Sequence, residues 1–128
     1  MNFNLWSSDV LKIIQKGIDT AALRQKVIAN NVANINTPGF KRSEVTFEEN
    51  LKKALQEKST PSQGITLGEV TPRVIRDGRT TMRNDLNNVD LDIEMLNLSS
   101  NQIKYNGLVQ LLSDRYSTMR YIINEGRR

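Results

Sequence analysis

Residues 8–40, SDVLKIIQKGIDTAALRQKVIANNVANINTPGF, decide the fold. Apolar or small side chains recur at Leu11, Ile14, Ile18, Ala21, Ile28 and Val32, in steps of three and four with Gln25 interrupting. That spacing keeps one face of an α-helix apolar for about three heptads. Ser7, Ser8 and Asp9 are candidate N-caps, since a side-chain oxygen there accepts from the free amides of a first turn. At the far end Pro38 biases Thr37 away from the helical region, and Gly39 permits the positive φ of a tight turn. The helix is therefore predicted to end near Asn34 to Asn36.

The last third repeats the pattern on a longer scale. Asn87 and Asn88 are expected to cap a second helix, with Asp90, Asp92 and Glu94 in its opening turns, where the helix dipole favours carboxylates. Its stripe is Leu91, Leu98, Tyr105, Leu108, Leu112, Met119 and Ile122, widened by Met95, Val109, Tyr116 and Ile123 on an adjoining row. Asn101 and Arg115 occupy seam positions, so the packing is not a simple leucine zipper, and Gly126 with Arg127 closes the helix.

Between the helices, alternation over residues 43–47 gives way to a short amphipathic helix carrying Phe47, Leu51, Ala54 and Leu55. Residues 59–64 read as a linker. Val74 to Met82 is expected to form a small β-hairpin turning at Asp77-Gly78, with Pro72 confining it to an edge. The predicted fold is mainly α, with two long terminal helices pairing in a coiled-coil-like layer. A short, partly disordered middle region contains the hairpin. The divisions of this one domain are 1–36, 37–86 and 87–128.

Composition narrows the function. The 128-residue chain has no cysteine and no histidine, which removes most zinc and copper ligand sets, Ser-His and Cys-His nucleophile pairs, and the commonest general base. No metal, cofactor or catalytic residue is expected. Aromatic residues make up only 5% while asparagine is abundant, so few large groups are available for a core. The net charge of +4 divides into +2 for residues 1–39, +3 for 40–83 and −1 for 84–128, with basic residues in isolated pairs among acids. Such a distribution argues against nucleic acid, which needs clustered phosphate contacts. No run approaches the roughly 20 apolar residues of a membrane span, and no positive segment introduces the first apolar stretch as in a cleaved signal peptide.

The isolated motifs carry little chemistry. Asp90, Asp92 and Glu94 alternate like a calcium loop but lack its glycine turn and distal bidentate acid. Tyr105 and Tyr116 fall on the apolar face, which favours packing over base stacking. The glycines form neither a P-loop nor G-x-G-x-x-G. The acids lie at helix starts or on polar faces, unlike the converging pair of a hydrolase. Helices of about 27 and 35 residues would span about 40 and 52 Å. One neighbouring helix cannot cover the wider C-terminal face, so other subunits are its expected cover. A helical nucleic-acid-binding or adaptor module is the alternative class.

Residues 28–41 match a longer pattern. Ala29-Asn30-Asn31-Val32-Ala33-Asn34, followed by Thr37-Pro38-Gly39-Phe40, resembles the N-terminal signature A-N-N-[IV]-A-N-x-x-T-x-G-[FY] of the flagellar axial family, the rod and hook proteins. Asn87-Asn88-Val89-Asp90-Leu91-Asp92-Ile93-Glu94-Met95, with Tyr105, Leu111, Leu112 and a helix to Ile122-Ile123, is similar to the C-terminal block of proximal-rod members. A sibling branch usually carries Tyr-Pro-Asn-Val and R-A-Y-E-A-N there, where this chain has Leu86-Asn87-Asn88-Val89 and Gln102-Ile103-Lys104-Tyr105-Asn106. The resemblance spans the chain and is weakest from Leu55 to Thr71. It implies a structural subunit of the proximal rod, exported by the flagellar type III apparatus without cleavage and crossing the periplasmic space. Its implied partners are copies of itself, other rod proteins and the MS-ring and export-gate end of the basal body, and its implied role is to help transmit torque.

Overall fold

The structure is a computed structural model that describes residues 8–57, 70–78, 84 and 86–125. In chain order these form α1 (Ser8–Ala33), β1 (Ser43–Thr46), α2 (Glu48–Glu57), β2 (Arg73–Arg76) and α3 (Leu91–Glu125). The two long helices pack together antiparallel: Asn101 of α3 donates to the Ala21 carbonyl at 2.8 Å, and a Cβ at Gly17 would sit 3.0 Å from Leu108 Cδ1. Gly17 thus lets Leu108 approach the α1 backbone.

The first helix ends at Ala33 because its last amides tighten and its asparagines turn inward. The Asn34 N–H reaches both Asn30 O (3.2 Å) and Asn31 O (3.1 Å), while Asn34 Nδ2 donates to Asn30 O at 2.8 Å. The Asn30 carbonyl thus accepts from both the backbone and the side chain of Asn34. Phe40 N then bonds Thr37 O at 3.2 Å, with Pro38 and Gly39 at the centre of the turn and Gly39 at φ +72°. Proline followed by a positive-φ glycine is the pattern of a type II turn.

β1 and β2 pair antiparallel, with Val45 opposite Val74 and Ser43 opposite Arg76. The middle region therefore holds the two-stranded element predicted for it, but the strand at 73–76 pairs with the alternating segment at 43–46. Asp77-Gly78 is not the connection between these strands: Asp77 N instead extends the ladder to Arg42 O at 2.8 Å. The other half of the expected hairpin, residues 79–82, lies outside the described residues, as do Ser7, the linker at 59–64, Gly126 and Arg127.

α2 begins with Glu48 and Glu49 at the positive end of its dipole and turns Leu51, Ala54 and Leu55 inward. There Phe47, Ala54 and Val70 are buried and Ile13 of α1 packs against them. α1 consequently serves two neighbours. Ile13 and Asn31 reach the middle region, while Gly17 and Ala21 meet α3. Among the described residues no helix is long and apolar enough to cross a membrane.

Candidate assembly interface

Five side chains, Asn31, Arg42, Asn87, Asn88 and Glu94, tie the end of α1, the sheet and the start of α3 into one polar clamp. Asn31 is 1% exposed; its Nδ2 donates to Ser43 O (2.8 Å) and its Oδ1 accepts from Ser43 N (3.0 Å). Both ladder groups of Ser43 that point away from β2 are thus met by one carboxamide, which acts as a surrogate strand. The same Asn31 Nδ2 lies 3.1 Å from Glu94 Oε2, and Arg42 Nε donates to Glu94 Oε1. Glu94 is fully buried, and these two donors meet its two carboxyl oxygens. Burial draws the Arg42 guanidinium downward, but the hydrogen bond and charge of Glu94, with a smaller contribution from Glu44, raise it above its ordinary value.

Asn88 completes the sheet end. Its Oδ1 accepts from Arg42 N (2.6 Å) and its Nδ2 donates to Asp77 O (3.1 Å), so a carboxamide bridges the next rung of the ladder. Asn87 donates from Nδ2 to the carbonyls of Asn34 (3.1 Å), Ile35 (3.0 Å) and Thr37 (3.0 Å). These two residues do not cap α3 as expected. Asp90 does, accepting from Asp92 N at 2.9 Å, and the segment before it is committed to the end of α1 and to the sheet. Glu94, expected simply as a dipole-favoured acid, is a central member of the clamp.

Arg24 falls in the apolar stripe of α1 beside Gln25, and the fold gives it a polar partner. It bonds Val45 O at 3.3 Å and Glu48 Oε2 at 2.7 Å, and Lys104 Nζ lies 3.7 Å from Glu48 Oε1. Burial would raise the Glu48 carboxyl, but the hydrogen bond from Arg24, a backbone N–H and the charges of Arg24 and Lys104 hold it below the usual glutamate range. A cleft of about 360 Å³ between α1, β1 and α3 is bordered by Arg24, Arg42, Glu48, Glu94 and Asn101. Asn101 Oδ1 is buried there and lacks a hydrogen-bond partner among the described residues.

The stripe residues divide by depth. Ile14, Ala21 and Ile28 are buried, while Leu11, Ile18, Val32, Leu98, Tyr105, Leu108 and Leu112 are half-buried. Met119 and Ile122 are 39% and 53% exposed, and the adjoining row stands open at Leu91, Met95, Val109 and Tyr116. By helical period Gln102 falls in line with this row and Gln25 falls in the stripe of α1, and both are exposed. In the shared signature, Asn31, Asn88, Val89 and Glu94 are buried. Asn34, Phe40 and Asp90 are half-buried, and Asn30, Thr37, Pro38, Gly39 and Met95 are exposed. Arg42, Ser43 and Asn87 joined the clamp without a periodic signal to mark them. Arg42 and Ser43 follow directly on the first signature block, while Asn87 opens the second and was read there as a helix cap.

The comparisons bear on both blocks. Residues 14–41 match the family model described as "Flagella basal body rod protein". The chain is 34% identical over 120 residues to the flagellar basal body rod protein FlgB of Borrelia hermsii, covering 83% of this chain and 89% of that one. It is 29% identical over 125 residues to FlgB of Bacillus subtilis (strain 168), covering 94% and 97%. FlgB of Borreliella burgdorferi is likewise 34% identical over 120 residues, with 83% and 89% covered. The buried Asn31 and the turn at residues 37–40 fall in the stretch matched by the family model, and the matches to whole relatives run on through the sheet and α3. The chain belongs to the FlgB family of flagellar basal body rod proteins and is a structural subunit of the rod.

Proposed function

We propose that this rod subunit joins its neighbours through the open side of its helical layer, with the predicted stripe residues Leu11, Ile18, Val32, Leu98, Tyr105, Leu108, Leu112, Met119 and Ile122 forming or backing the contact. The observation that carries the reading is the run of exposed apolar side chains along α3, with Val109 at 41% and Tyr116 at 50% exposure. A continuous apolar strip of this length is unusual on a monomer and favours burial against other subunits. Copies of the same chain and other rod proteins cover it, at the end of the rod near the MS-ring and export gate. The subunit travels through the flagellar type III apparatus without losing a signal peptide and crosses the periplasmic space as part of the rod. Its role there is to pass motor torque outward, with no catalytic step.

The test separates assembly from folding. Ile14, Ala21 and Ile28 are buried within the monomer and Leu112 is half-buried, so Leu112→Asp reports on both folding and assembly. Val109→Glu and Tyr116→Asp change only exposed positions. Both variants are expected to keep the helical circular dichroism of the parent, yet to fail in motility and in co-sedimentation with the other rod proteins. Ile18→Asp, at the half-buried edge of α1, is expected to fail likewise, because a carboxylate in a dry seam costs several kcal/mol if unpaired. Normal motility in Val109→Glu and Ile18→Asp would overturn the assignment of this face.

A further inference from the structure

The two edges of the small sheet are treated differently. The register and the Asp77–Arg42 bond make 42/77, 44/75 and 46/73 the hydrogen-bonded pairs, so Ser43 and Val45 on β1, and Val74 and Arg76 on β2, direct their backbone groups outward. On the β1 side α1 meets these groups: Asn31 takes both from Ser43, and Arg24 takes the Val45 carbonyl. On the β2 side, among the described residues, no hydrogen bond meets the outward groups of Val74 or Arg76. Val74 and Ile75 are 52% and 53% exposed, and Arg73 and Arg76 are exposed without an ion pair among the described residues.

We infer that the outer edge of β2 is a strand-addition site for an extended, acidic segment of a neighbouring polypeptide, which pairs with Val74 and Arg76 and sets its carboxylates against Arg73 and Arg76. An open edge supplies main-chain affinity, and alternate side chains supply selectivity. Arg73 and Arg76 point to opposite faces of the sheet, so an incoming strand needs an acid on each face. The same arginines repel a basic strand, which gives the edge selection by sign as well as by shape. Glu44, the carboxylate of β1, lies 3.4 Å from Arg42, and among the described residues it forms no ion pair with either edge arginine. This contact lies on the sheet and is separate from the face of the helical layer.

The test uses the full chain labelled with ¹⁵N and a capped Val-Glu-Thr-Val-Glu-Val peptide, whose two acids lie three residues apart and so fall on opposite faces of a strand, with Val-Lys-Thr-Val-Lys-Val as its opposite. The acidic peptide is expected to shift the amide signals of Val74 and Arg76 and slow their hydrogen exchange, whereas the basic peptide leaves them unchanged. Arg73→Glu with Arg76→Glu should weaken the acidic peptide roughly tenfold or more, from the loss of two exposed charge pairs, and admit the basic one. Val74→Pro removes an outward N–H that the ladder does not use, so it should abolish binding while the Glu44 and Ile75 amides stay protected. Equal binding of both peptides, no response at Val74 and Arg76, or protection of those two amides in the free chain would overturn the proposal. The last outcome would mean that the chain covers its own edge.

Discussion

Glu94 gathers the most consequence into one side chain. Glu94→Ala leaves the Arg42 guanidinium and the Asn31 amide without their shared acceptor. Breaking a buried pair from one side is expected to cost about 3 kcal/mol, read as a lower urea midpoint at unchanged slope. Glu94→Gln keeps an acceptor oxygen and should lose less. Glu48 gives the opposite case, since its side chain is 55% exposed and its pair with Arg24 is worth at most about 1 kcal/mol. The folded carboxyl is held below its unfolded value, so its contribution is complete above the unfolded pKa of about 4.3 and is lost as pH falls through the lower folded value. Glu48→Gln should therefore be less stable than the parent at pH 7, and the difference should close in strong acid. Urea titrations at the two pH values check it.

The two helix glycines predict different outcomes at the level of the element. A methyl group on Gly107 would meet nothing within 4 Å, so Gly107→Ala should stabilise the free chain by about 1 kcal/mol through helix propensity alone. At Gly17 the same gain is opposed by Leu108, and a larger residue such as valine should force α1 and α3 apart at a cost of about 1–3 kcal/mol. Gly39→Ala meets no neighbour but must adopt φ +72°, costing about 1 kcal/mol or more. Thermal melts of the three variants rank these effects. The long helices were legible from the spacing of Leu11 to Val32 and Leu91 to Ile122, because burial imposes a period that sequence records. The partner of strand 73–76 was not, because Asp77-Gly78 offered a local turn and pairing with 43–46 leaves no local mark. The clamp was half legible: the signature marked Asn31, Asn88 and Glu94, but a carboxamide replacing a ladder rung looks in sequence like any helix-end asparagine.

Across the whole molecule, polar bonds gather at one end of the helical layer. Asn31, Asn87, Asn88 and Glu94 join α1, β1, β2 and α3 there, whereas the other end brings Leu11 beside Arg115, Tyr116 and Met119. Hydrogen exchange of the free chain should show protection highest from Thr20 to Asn31 and from Glu94 to Asn101, declining along α3 toward Glu125. Uniform protection over α3 would show that the helix needs no neighbour for its order. The clamp also has a mechanical meaning. Apolar side chains resist separation but slide over one another with little penalty, while short directional bonds lose most of their energy within an ångström of shear. Asn87, holding three carbonyls at the end of α1, acts as a shear pin between the helices: a load that twists the layer meets a fixed register at that end and compliance at the other.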